Sequence, residues 1–418
     1  MTADRKFDAL IVGAGMVGIA TACLLARSGF SVAILEASEP LAFDPESEVG
    51  LRVSAFSPGS QAILAEAGAW RQIDRQRHCP YRRMRVEDRD ESLVLEFNAP
   101  EFGLERLGTI IENQLVQWSL WQTLQAMGGV EILCPDQLES LEYVNDEPVV
   151  TLGSERQVRC RLLIGADGAD SKVRKLLGID QDHWEYGQQG IVSVVTSKRP
   201  NPGIAWQRFM EGGPLAFLPL QDGRSSMVWS RPEAEARRLL DLDDESFLSE
   251  LEEAAAGENQ TWSASILSCG PRAAFPLTMR LSHRYAASRA VLVGDAAHVV
   301  HPLAGQGVNL GLLDAAGLVE VLVEARARQL AISSERTLRK YERWRRSEAE
   351  VMARGIHGIR GLFIPEALAP LRRLGIGLVS RSWAAKEAFI KRAAGRNRNA
   401  PAIARGAALT DLLHPSST

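Results

Sequence analysis

The stretch "FDALIVGAGMVGIATACLLARSGFSVAILEASEP", residues 7–40, constrains this chain more than any other. Phe7 to Val12 is a short, continuous apolar run, the pattern of a parallel strand buried on both faces. Gly13-Ala-Gly15-Met-Val-Gly18 follows and opens a helix-like segment that Gly29 stops. A second strand, Ser31 to Leu35, ends on Glu36. In such an arrangement Gly13 permits the tight turn, Gly15 lets backbone approach a pyrophosphate, and Gly18 lets the helix pack closely on the sheet. The helix N-terminus offers unpaired N–H groups and a positive dipole end to phosphates. Glu36, about 20 residues beyond the glycines, reaches a ribose hydroxyl. The pattern is that of a Rossmann-type dinucleotide-binding α/β unit, and it does not distinguish NAD from FAD.

Two later segments repeat the same grammar. "CRLLIGADGADSKVRKLLGI", residues 160–179, reads as a strand from Arg161 to Gly165, a turn at Asp167-Gly168 and a helix from Ser171. Asp170 or Ser171 is placed to cap that helix, with Arg174 and Lys175 on its polar side. "VLVGDAAHVVHPLAGQGVNLG", residues 291–311, reads as a strand, Gly294-Asp295, and a glycine-rich turn into another helix. Its two histidines, His298 and His301, suggest a metal pair, but no third-ligand motif such as HExxH accompanies them. His301 also precedes Pro302, where helical geometry is disfavoured. A nucleophile-base-acid triad lacks its GxSxG elbow. No metal is assigned.

Bulk properties narrow the class. At 418 residues the chain is long enough for two domains. Its 45% hydrophobic and 24% charged residues are those of a soluble globular protein. A net charge of -4 gives no reason to expect nucleic acid. The five scattered cysteines form no CxxC and read as reduced thiols in core packing. The apolar run at the N-terminus breaks on Gly13, so it is a strand and not a secretory signal. No apolar stretch is long enough to span a bilayer. The expected location is cytoplasmic, with peripheral contact at the inner membrane as an open option.

The three motifs in this order resemble the single-Rossmann flavin monooxygenases of the aromatic-hydroxylase class: an N-terminal GxGxxG, a central "DG" and a late "GD". The segments "LRVSAFSPGS" (51–60), "IIENQLVQWSLWQTL" (110–124), "WQRFMEGGPLAFLPL" (206–220) and "HPLAGQGVNLG" (301–311) are similar, within that class, to the flavin hydroxylases of ubiquinone biosynthesis. The resemblance implies FAD as cofactor and NAD(P)H as a transient electron donor. It implies an FAD-dependent monooxygenase that hydroxylates the ring of a polyprenylated phenol with O2, through a flavin C4a-hydroperoxide. On the same basis Asp295 holds a ribityl hydroxyl, a role suited to an acceptor carboxylate. Pro302, Gly305, Gln306 and Gly307 lie against the isoalloxazine, and backbone N–H groups running to Val308 and Asn309 face its pyrimidine edge. Asp167-Gly168 sits beside the pyrophosphate, and Arg52 near the diphosphate. Asn113 and Gln114 contact FAD or simply cap their helix. His301 and Pro302 are the flavin-face candidates; no catalytic acid or base is assigned.

The expected architecture is a Rossmann-type FAD-binding domain (1–75, 105–180 and 270–345) interleaved with a smaller β-sheet substrate domain (76–104 and 181–269). A helical C-terminal region covers 346–418. Trp206, Phe217, Pro219 and Trp229 are candidates for lining the substrate pocket at the domain interface, but buried aromatics in sheets are more often ordinary core. The C-terminal region carries Arg360, Arg372, Arg373, Arg381, Lys386, Lys391 and Arg392 against few acids. A basic, apolar-striped end of this kind touches an anionic membrane, joins a complex of ubiquinone-biosynthesis enzymes, or packs on the FAD domain with a solvated face. Other readings remain: a hydroxylase of another small aromatic, which predicts a closed polar pocket with an arginine for a carboxylate, or a noncatalytic FAD-binding subunit. An NAD-dependent dehydrogenase leaves the two later motifs unexplained, and a halogenase lacks its WxWxIP segment.

Overall fold

The apolar run at the N-terminus becomes the central strand β1 (Lys6–Val12) of a parallel sheet. In the computed structural model, which describes residues 6–88, 94–256, 265–300, 307–363 and 382–413, β1 has a parallel neighbour on each side. Val32–Leu35 lies on one side and Gln157–Gly165 on the other. Val130–Leu133 extends the sheet beyond Val32–Leu35, and Ala290–Leu292 extends it beyond Gln157–Gly165, both in parallel. Strands covered on both faces must be apolar throughout, and all four residues of Val32–Leu35 are buried.

Register is what matters for function. Val12 pairs with Gly165, and Gly165 with Leu292. The turns at Gly13, Asp167 and Gly294 therefore leave the same edge of the sheet side by side, outside the carboxyl ends of its strands, where ligands bind in such folds. Helix Met16–Arg27 leaves the first turn and packs against the buried helix Gly307–Ala327.

A second sheet is mainly antiparallel. It runs from His298–Val299 through Ala273–Ser282, Gln181–Ser197, Ser225–Pro232, Leu215–Pro219 and Ile204–Arg208 to Arg83–Glu87 and Val94–Asn98. Segments before and after strand Gln157–Gly165 of the first sheet thus meet in it, Ile204–Arg208 pairing in parallel with Arg83–Glu87. The two faces of this sheet have different partners. Ile191, Trp206, Leu215, Phe217, Met227 and Trp229 join the residues of helices Glu233–Asp241 and Asp244–Ala255 in one core. Val194, Ala205 and Leu218 pack instead with Ala55, Tyr81 and Ile110 of the small sheet Val53–Phe56, Gly108–Glu112 and Cys79–Tyr81. The first face is the outer one, away from the parallel sheet.

This corrects the expected pocket lining. Trp206, Phe217 and Trp229 are fully buried on the outer face. Trp206 stacks on Phe217 at 5.3 Å between ring centroids, and Trp229 meets Phe247 edge-on at 6.2 Å. Pro219 is buried too and, two residues after Phe217 on the same strand, shares its face. Large aromatics went where two helices supply the most apolar surface to cover them. Trp229→Ala should cost about 3–5 kcal/mol, the range for emptying a buried aromatic site; a urea unfolding curve measures it, and a loss below 1 kcal/mol would contradict this packing.

Candidate functional site

The edge where the three turns meet carries glycines of two kinds. A Cβ on Gly13 would strike the Ala166 carbonyl of the neighbouring turn, and one on Gly18 would strike the Gly13 carbonyl. These glycines are required by the protein's own packing. Gly15 is different: a Cβ there would meet nothing within 4 Å, and its φ of -70° suits any residue. A Cβ on Gly307, at the start of its helix, likewise meets nothing within 4 Å among the described residues.

Glu36 sits at the end of its strand and ties the loop in place. Its Oε2 accepts the Ala14 N–H at 2.5 Å, and Oε1 accepts the Ala37 N–H at 2.9 Å. Gln117, which the sequence reading did not single out, donates from Nε2 to the Ala14 carbonyl at 2.9 Å. Its position one helical turn after Asn113 was the available signal.

Asp295 follows Gly294, whose φ of +60° is left-handed. The Asp295 side chain is open to solvent-sized space, yet the protein around it pushes its carboxyl pKa up, with His298 and Arg52 pulling it back. Those two facts together describe an exposed carboxylate with protein packed closely around it. Arg52 is exposed and stands over the Phe275 ring at 5.3 Å. Its carbonyl accepts the Asn113 N–H at 3.0 Å, and Asn113 Oδ1 is buried without a hydrogen-bond partner among the described residues. Gln114 is exposed and donates from Nε2 to the Ala42 carbonyl.

Other predicted residues are spent inside the protein. Asp167 accepts from Ser171 Oγ at 2.5 Å and from the Val173 N–H at 3.0 Å, so its carboxylate caps the following helix. Ser171 is that helix's N-cap, while Asp170 pairs with Arg280 at 2.7 Å. Gly168, with φ of +78°, leaves the backbone of the turn facing open space. Arg174 is not on a polar side: it is buried and donates to the Ala296 carbonyl, tying the second turn to the third. Asn309 accepts from the Ser57 N–H and Ser60 Oγ and donates to the Ala55 carbonyl. Its amide anchors the helix start, with Val308 half-buried beside it. His301, Pro302, Gly305 and Gln306 lie outside the described residues.

His298 is fully buried, and its ring nitrogen Nε2 lies 2.5 Å from Asp314 Oδ2. Burial alone would raise the Asp314 carboxyl, but His298 and Arg345 outweigh it and hold it below the ordinary aspartate value.

Comparison with known proteins identifies the family. The family model for the FAD binding domain matches residues 6–355. The 3-demethoxyubiquinol 3-hydroxylase of Escherichia coli (strain K12) is 37% identical over 395 residues, covering 94% of this chain and 99% of that one. The ubiquinone hydroxylase UbiL of Rhodospirillum rubrum is 36% identical, covering 96% and 92%. The chain belongs to the FAD binding domain family, in its branch of ubiquinone-biosynthesis flavin hydroxylases. A crystal structure of Pseudomonas aeruginosa PqsL in complex with 2-aminobenzoylacetate superposes with a TM-score of 0.72 at 25% identity, covering 89% of this chain and all of that one.

The residues of this family member fit FAD on structural grounds. Gly15 and Gly307 face open space, Asn113 Oδ1 is a buried acceptor without a donor, and Asp295 is a carboxylate with no hydrogen bond to the described residues. Each is a group that a large polar ligand would complete. The steric contrast between the glycines gives a test. Gly15→Ala should leave the unfolding temperature of the apoprotein unchanged and weaken FAD binding by tenfold or more, on the order of one lost phosphate contact. Gly13→Ala should lower the apoprotein's unfolding temperature itself. Thermal unfolding and FAD titration separate the two; equal behaviour of both variants would contradict the assignment.

Proposed function

We propose that this chain hydroxylates the aromatic ring of a polyprenylated phenol in ubiquinone biosynthesis, using FAD, NAD(P)H and O2. The observation that carries the reading is 37% identity to a 3-demethoxyubiquinol 3-hydroxylase along almost the full length of both chains. The chemistry of the inner sheet face supports it. Residues alternate across a sheet, so Val192, Val228 and Ala216 face opposite to Ile191, Trp229 and Phe217. They are cross-strand neighbours, half-buried, and belong to none of the apolar cores. Phe275, paired with Gly190 one row further along, carries Arg52 on its ring. An aliphatic strip that no core covers among the described residues suits a prenylated ring better than a small aromatic acid held by an arginine.

When bound, FAD supplies the hydride acceptor and the oxygen-activating chemistry. The chain's own residues bind, orient and keep out water. The backbone at Gly13, Gly15 and Gly18 and the helix N-terminus beyond it take the pyrophosphate, and Glu36 takes the adenosine ribose. Asp295 accepts from a ribityl hydroxyl. Arg52 would bind near the diphosphate, Asn113 and Gln114 would contact the cofactor, and the backbone at Asp167-Gly168 would border the pyrophosphate. The helix start at Gly307, Val308 and Asn309 turns its N–H groups to the ring, with Pro302, Gly305 and Gln306 leading into it. His301 and Pro302 remain the residues for the flavin face. The catalytic acid or base belongs to no residue on these grounds.

The domain division is part of the proposal, although Ala273–Ser282 and His298–Val299 of its third FAD segment pair within the second sheet. Segments 1–75, 105–180 and 270–345 form the FAD domain, 76–104 and 181–269 the substrate sheet, and 346–418 the helical end. Among the described residues no helix is long and apolar enough to cross a membrane. Peripheral attachment to the inner membrane, or to other enzymes of the route, is proposed through the C-terminal region. There Trp383 and Phe389 are exposed, while Lys391 pairs with Glu387 and Arg392 with Glu348. The side chains of Arg360, Arg372, Arg373 and Arg381 lie outside the described residues.

Two experiments test this reading. Cells lacking the gene should accumulate one under-hydroxylated prenyl phenol, cleared by complementation with the wild type but not with Asp295→Ala; an unchanged ubiquinone profile where no second hydroxylase exists would refute it. Val228→Asp should raise the KM for a short-chain prenylated phenol about tenfold or more, the effect of a charge in an apolar contact, while flavin content stays unchanged. An unaltered KM would remove the aliphatic strip from the substrate site.

A further inference from the structure

We propose that Asp314 is a positioning residue for the flavin: with His298 and Arg345 it clamps the Gly294-Asp295 turn from beneath and so aims the Asp295 carboxylate into the cleft. This rests on the reading of Asp295 as a ligand of the cofactor.

Asp314 lies in the middle of helix Gly307–Ala327 and is completely buried. It touches no open surface of the cleft, yet its two oxygens take three donors. Oδ2 accepts the Gly294 N–H at 3.2 Å and His298 Nε2 at 2.5 Å; Oδ1 accepts Arg345 Nε at 2.8 Å. An ionised carboxylate only accepts, so the His298 nitrogen facing it carries the proton. One side chain thus holds the backbone just before Asp295 and the imidazole three residues after it. The turn is gripped at both ends.

The surroundings leave this turn one conformation. Gly294 is left-handed, and a Cβ on it would press on Val17. Gly311, one turn before Asp314 on the same helix, lets that helix come close: a Cβ there would approach Val17 Cγ2 to 2.7 Å and Gly294 Cα to 3.2 Å. Arg345 is itself buried, threaded past Gly317, where a Cβ would lie 2.9 Å from its Cδ. The Tyr285 ring closes the far side of His298 at 5.8 Å between centroids. A buried ion cluster is a poor source of stability, since apolar residues of similar volume often serve as well. What this cluster provides, and apolar packing would not, is a directed grip on one backbone N–H and one imidazole beside the ligand-facing carboxylate.

The test is a double-mutant cycle on the apoprotein, read by FAD titration with flavin fluorescence quenching, together with thermal unfolding of each apo variant. Asp295→Asn, Asp314→Asn and the double variant are compared with the wild type. Asp295→Asn and Asp314→Asn should each weaken FAD about tenfold, and the double variant should lose little more than either alone, as coupled residues do. If Asp314→Asn does not fold, His298→Ala, which leaves the Asp314–Arg345 pair intact, replaces it in the same cycle with the same expected non-additivity. A lowered unfolding temperature with unchanged FAD affinity in the folded fraction, or losses that multiply in the double variant, would overturn the clamp. Unchanged affinity in Asp295→Asn would instead overturn the reading of Asp295 on which the clamp rests.

Discussion

Everything in this molecule depends on how closely three neighbouring parallel strands approach one another at their carboxyl ends. Gly165 sits between Val12 and Leu292, and a Cβ there would press on Leu292 and Val173. Because that spacing is kept, the turns after the three strands share one edge, and segments distant in sequence meet there. The Val12 carbonyl accepts the Ala166 N–H, and the Gly165 carbonyl accepts the Val293 N–H. Arg174 adds a side-chain tie from the second turn to the third. The cofactor cleft is a consequence of backbone register before it is a collection of side chains.

The second sheet solves a different problem. One of its faces must be sealed and the other left available. Two amphipathic helices cover the outer face and draw in the large aromatics, and the inner face keeps small aliphatic residues where no core closes over them. On the proposed reading, an aromatic at Val192, Val228 or Ala216 would fill the space a ring substrate needs. The division of large and small residues between the two faces therefore belongs to the same design as the cleft.

The three turns were legible in the sequence because their constraints are local: an apolar strand, glycines at fixed spacing and a helix start. Family membership followed from the same motifs. Side-chain roles were harder to read. Asp167 looked available and is spent as a helix cap, a competition between ligand and backbone that spacing does not reveal. Arg174 looked solvated and is buried, since its burial depends on a turn more than a hundred residues away. Trp206 and Trp229 stood both as pocket candidates and as sheet core, because strand parity fixes which residues share a face but not which face the helices will cover. Asp314 and Arg345 gave no signal at all, because only helix packing brings them under the third turn.

The measurement that tests the central claim most directly uses purified holoenzyme, NAD(P)H, a prenylated phenol and isotopically labelled dioxygen, with the product ring examined by mass spectrometry. Substrate-stimulated NAD(P)H oxidation and a single labelled oxygen on the ring are the expected result. Flavin bound in full with no stimulation by the phenol and no label in the ring would contradict it, and would make the chain a flavin-binding subunit without hydroxylase chemistry.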